Sequence, residues 1–177
     1  MRIRDRWDDD CFLRAFRLLG VRYPVLRTTV YVKEGESGQF VDEKKELPCR
    51  VSVAESIEDY VAEETSFKFD LSSDCLFHGH LVHCKDCDKL IENANHIILD
   101  GFSYYLVNKT LIEYYDLLAS GTSFEEVKSK AEQDAAADMP FEEYVRSLLS
   151  KNVSAAKEYW AGLMDGYEGG VEDRFKL

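Results

Sequence analysis

The run Asn95-His96-Ile97-Ile98-Leu99-Asp100-Gly101-Phe102-Ser103 sets an imidazole and a carboxylate four positions apart in apolar surroundings. An imidazole changes charge near neutral pH, so His96 is the candidate general base of the chain. Asp100 needs a cationic partner if it is buried, because an unpaired buried carboxylate is costly. Ile97, Ile98 and Leu99 read as the end of a buried strand. Gly101 suits a tight turn that a β-carbon would resist. Ser103 stands ahead of an apolar-periodic stretch, where its hydroxyl can cap a helix. The spacing predicts a strand-to-helix junction that carries a base.

A rival constellation lies upstream. His78, His80, His83, Cys84 and Cys87 are zinc-ligand types within ten residues, and Cys84-x-x-Cys87 has knuckle spacing. His78 and His80 would share one face of a strand, with the cysteines in the turn that follows. No second Cys-x-x-Cys or His-x-x-x-His pair follows, so the reading is that no metal is bound.

The elements that must position these groups alternate between the two periods. Arg2 to Trp7 reads as a short edge strand. Asp9 to Leu19 is an amphipathic helix with acid at its start and Gly20 as its stop. Leu26 to Val32 alternates as a strand, and Gly35 and Gly38 mark a hairpin. Ser52 to Phe67 reads as a helix, Leu76 to His83 and Lys89 to Leu99 as paired strands. Phe102 to Ser120 is a long helix, with Tyr105, Leu106, Leu111, Ile112, Tyr115 and Leu118 on one side and Gly121 at its end. Ser123 to Ala137 is a polar helix or connector. Phe141 to Leu163 is helical with a break near Asn152, and Asp165 to Leu177 is a flexible tail.

Three stretches share an order with one family. His96-x-x-x-Asp100-Gly101-x-Ser103 resembles the His-His-x-x-x-Asp-Gly-x-Ser signature of nonribosomal peptide synthetase condensation domains, with Asn95 in the place of the first histidine. Arg22-Tyr23-Pro24-Val25-Leu26-Arg27-Thr28 resembles that family's Arg-His-x-x-Leu-Arg-Thr, and Phe69-Asp70-Leu71 its Phe-Asp-Leu segment. Tyr159-Trp160 with Leu163 is similar to the Tyr-Trp-x-x-x-Leu that closes its first lobe. Tyr144 keeps only the tyrosine of its Tyr-x-Asp-Phe motif.

The resemblance implies an α/β fold: a mixed, largely antiparallel sheet flanked by helices, one lobe of the chloramphenicol acetyltransferase pattern. It spans residues 1 to 164 as an N-terminal lobe. The family's opening helix and its whole C-terminal lobe are expected to be missing. It implies amide-bond formation between carrier-protein-bound acyl or peptidyl and aminoacyl thioesters, with His96, Asp100 and Gly101 catalytic and an Arg27–Asp100 salt bridge. No cofactor is expected to bind directly, since the phosphopantetheine arms of the carrier proteins belong to the substrates. Partners implied are those carriers, the missing lobe and a second copy through an exposed apolar face. A non-catalytic carrier-binding remnant and a coenzyme A-dependent acyltransferase of the same superfamily stay open beside it.

Composition bounds these readings. The chain has 177 residues, 45% of them hydrophobic, with a net charge of −12. One domain with a sizeable core is expected. The acidity argues against nucleic acid and against an anionic membrane surface. Arginines followed by acids after Met1 are not a signal peptide, and five cysteines fit a reducing cytoplasm.

Overall fold

The computed structural model describes residues 1–167. They fall into two compact units, Met1–Ala137 and a second beginning at Asp138. The expected tail is described only as far as Tyr167; the rest of it lies outside the described residues.

In the first unit β1 (Arg2–Ile3) is followed by α1 (Asp9–Arg22), which starts where Asp8 accepts the Cys11 N–H at 2.9 Å. Gly20 does not stop this helix. It is buried inside the last turns, and α1 runs on to Arg22 until Pro24 forbids continuation. A 3-10 turn, Pro24–Arg27, leads into β2 (Thr28–Lys33), which pairs with β3 (Glu36–Val41) as a separate two-stranded ribbon. The reversal is two residues long, with Glu34 and Gly35 both at positive φ, the conformation a tight hairpin of this hand requires.

The second sheet has the order β1-β6-β5-β4. Its members are β4 (Cys49–Val53), β5 (Phe77–His83) and β6 (Asp88–Ala94). The β1–β6 and β6–β5 pairs are antiparallel and β5–β4 is parallel, so the sheet is mixed and largely antiparallel as expected. Strand β4 corrects the reading of residues 52–67 as one helix. Only α2 (Glu58–Ser66) is helical there. Strand β6 ends at Ala94 and does not run to Leu99.

Helix α1 covers one face of this sheet. Phe16 stacks on Phe77 at 5.3 Å, and it lies over Gly79, where a β-carbon would come within 2.3 Å of its ring. Gly79 is therefore the gap through which helix and sheet approach. Helices α3 (Gly101–Ala119) and α4 (Phe124–Ala137) close the layer, burying Leu111, Tyr114, Val127 and Ala131 with Phe12 and Leu19. The expected buried side of α3 is rotated: Val107 and Tyr114 join Leu111, Tyr115 and Leu118, while Tyr105 is 61% exposed. The second unit contains α5 (Phe141–Leu149) and α6 (Ser154–Leu163), with the break at the expected place. No helix among the described residues is long and apolar enough to cross a membrane.

Candidate functional site

The site lies where β6 gives way to α3. Asn95 still donates its N–H to the Leu76 carbonyl at 2.9 Å, the last tie to the strand system. Its side-chain oxygen then accepts the Ile97 N–H at 3.0 Å, and its carbonyl accepts the Ile98 N–H at 3.2 Å. This is a side-chain-assisted turn, for which asparagine is well suited. The expected strand end is thus a turn, and Ile97 is 53% exposed. His96 stands on that turn, exposed. Its ring makes no hydrogen bond or ion pair with any described residue.

Asp100, rather than Ser103, is the N-cap of α3. Its Oδ1 accepts the Ser103 N–H at 2.7 Å, and this bond holds the carboxyl below its ordinary value. Gly101 is the first helical residue. Its φ is not positive and a β-carbon would meet open space, so the turn does not depend on it. The bend is made one step earlier by Asn95, which is why a glycine is not needed there.

The expected Arg27–Asp100 salt bridge does not form. Arg27 donates from Nε to the Gly20 carbonyl at 2.8 Å and from Nη1 to the Asp42 carbonyl at 3.2 Å. Its charge lies at the C-terminal end of α1, where the helix dipole favours a cation. Both members are thus satisfied locally, Asp100 by a helix start and Arg27 by a helix end.

His96, Asp100 and Gly101 line one open depression of about 340 Å³ with Glu92, Asn93, Ala94, Leu99 and Tyr104. Glu92 and Tyr104 were not foreseen from the sequence. The Tyr104 hydroxyl donates to Glu92 Oε2 at 2.6 Å. Burial raises the Glu92 carboxyl above its ordinary value, although Tyr104 and Asn108 favour the charge. Burial, and then the Glu92 charge, push the Tyr104 phenol up. The signal for Glu92 was present in the sequence: it shares the period-2 face of Leu90 and Ala94. An exposed imidazole without a partner, beside a depression, can take a proton from a group presented to it.

The histidines of the rival constellation are divided between two faces. His78 pairs with Glu64, and His80 accepts from Arg50 Nε at 3.0 Å and contacts Ser52 at 2.9 Å, all on the α2 side. His83 is on the α1 side, with Nε2 2.6 Å from Asp9 and Nδ1 2.8 Å from Asp88. Among the described residues no three such side chains are gathered to hold an ion.

Comparison with known proteins places this geometry. The family model described as "Condensation domain" matches residues 1–172. Bacitracin synthase 1 of Bacillus licheniformis is 25% identical over 97% of this chain, which spans 3% of that protein. Tyrocidine synthase 3 of Brevibacillus parabrevis is 27% identical over 89% of the chain and 2% of its own length. Among solved structures, a variant of the starter condensation domain of rhizomide synthetase RzmA superposes with a TM-score of 0.72 at 14% identity. That match covers 95% of this chain and 42% of the other. The X-domain from teicoplanin biosynthesis gives 0.62 at 21% identity, over 70% of this chain and 28% of the other.

Proposed function

The chain belongs to the condensation-domain family, and from that premise we propose that it supplies the histidine-bearing lobe of an amide-forming transferase in nonribosomal peptide synthesis. One observation carries the reading: His96 stands exposed and unpartnered on a turn at the wall of an open depression. An acceptor aminoacyl group and a donor acyl or peptidyl group, each a thioester on a carrier's phosphopantetheine arm, meet there. The amine nitrogen attacks the donor carbonyl, the C–N bond forms and the C–S bond breaks. His96 takes the amine proton and passes it to the departing thiolate, which leaves as a thiol. Holding the two thioesters close supplies a large part of the acceleration. Asp100 caps α3 and so fixes where the turn ends; its role is structural.

A second reading is favoured by Asn95 and by the separation of Arg27 from Asp100: a lobe that binds carriers without turnover. The test supplies this chain with the complementary C-terminal lobe of a relative, loads two carriers, and looks for the amide by mass spectrometry. Product that is lost in His96→Ala supports the transferase. Carrier binding without product, with or without His96, overturns it in favour of the second reading. Product only from a coenzyme A thioester and an alcohol assigns the coenzyme A-dependent branch of the superfamily.

A further inference from the structure

Glu92 is on the last stretch of β6 and Tyr104 in the first turns of α3, and their side chains meet across the loop that carries His96. The bond is short, at 2.6 Å, and joins residues twelve apart in sequence. Glu92 faces the same side as Leu90 and sits opposite Gly79 in the ladder. Its other oxygen, Oε1, is buried and has no hydrogen-bond partner among the described residues. A buried carboxylate with an orphan oxygen costs stability.

We propose that Glu92 and Tyr104 are positioning residues for His96: their hydrogen bond ties the strand stem of the loop to its helix stem and fixes where the imidazole stands. This rests on His96 being the working residue of the site. The loop has few other ties. Asn95 organises its first half through Ile97 and Ile98, and Asp100 its last residue through Ser103. Between these two local turns, the Glu92–Tyr104 bond connects the stems through side chains, with Asn108 of α3 beside it. Catalytic groups must be held to within roughly half an ångström of their working geometry, which demands such support.

The test uses the full chain and three variants, read by NMR. Tyr104→Phe removes the donor, Glu92→Leu removes the acceptor, and Glu92→Gln keeps an acceptor oxygen. In Tyr104→Phe and Glu92→Leu the His96 ring resonances move, and amide exchange at Ile97 and Ile98 rises about tenfold, the worth of one hydrogen bond. Glu92→Gln stays close to the parent on both readouts. Unchanged ring resonances and exchange in Tyr104→Phe overturn the proposal, as does a Glu92→Gln variant that behaves like Tyr104→Phe. If Glu92→Leu does not fold, the other two decide. These readouts concern the loop alone. A chain that passes them and forms no amide with its complementary lobe refutes the transferase and leaves the clasp standing.

Discussion

The β5–β6 hairpin carries one histidine at its closed end and another beyond its open end, and the two are used in opposite ways. His83, at the closed end, is 4% exposed and wedged between the carboxylates of Asp9 and Asp88. Asp88 is itself buried and also accepts the Trp7 N–H at 2.7 Å. Burial alone would pull the His83 imidazole down, but the two carboxylates outweigh it and hold it above its ordinary value. That ring is committed to joining the hairpin to the start of α1. His96, past the open end, makes no hydrogen bond or ion pair of its own with any described residue and rides on the Asn95 turn. The two rings thus differ in commitment: His83 has a carboxylate at each nitrogen, and His96, beyond the strand pair, has none at either.

Breaking the closed end should have the largest effect on stability. Asp88→Ala leaves a buried imidazole facing a gap and strips the Trp7 amide of its acceptor. A loss of about 3 kcal/mol is expected in urea denaturation, the scale for removing one member of a buried pair. A loss below about 0.5 kcal/mol, the scale of a neutral surface change, would erase the contrast. His96→Ala is that neutral change for stability. In the complemented transfer assay it should cost about a hundredfold or more, the usual worth of a general base.

The pH dependence sharpens the same contrast. Because the folded-state value of His83 is raised, its contribution is complete below the unfolded imidazole value of roughly 6.5. It fades as pH climbs through the higher folded value. Unfolding followed across that window should show stability falling with rising pH, and His83→Gln should flatten the slope. The smallest effect belongs to Arg27→Met. It should leave the Asp100 carboxyl titration, read by NMR, where it was, since helix α3 and not the guanidinium sets that carboxylate's environment.

Much of the first unit was legible in the sequence, and the failures have physical causes. Phe12, Ala15, Phe16 and Leu19 announce α1, and Leu76 and Phe77 with Leu81 and Val82, at the two ends of one stretch, announce β5. Strand β4 was hidden because its partner is parallel. A parallel neighbour leaves no turn between the strands to read. Residues 52 and 53 therefore merged with the acidic helix behind them, and 49–51 read as no element. Asp100 was given a distant cation when the Ser103 amide, three residues away, was enough. The order of motifs singles out His96 as the candidate, but the Glu92–Tyr104 contact could be seen only once strand parity and the rotation of α3 were both known.

Side-chain alternation along β5 has one more consequence. Phe77, Gly79 and Leu81 face α1, whereas His78 and His80 point to the side where Glu64, Arg50 and Ser52 wait for them. A slip of one position during folding would swap the two sets. Two imidazoles would enter an oily layer, two large apolar side chains would meet water, and Phe16 would strike a side chain where it now finds none. The polar lattice behind the sheet thus acts as a proofreader of alignment: a mispaired hairpin is penalised on both of its faces at once.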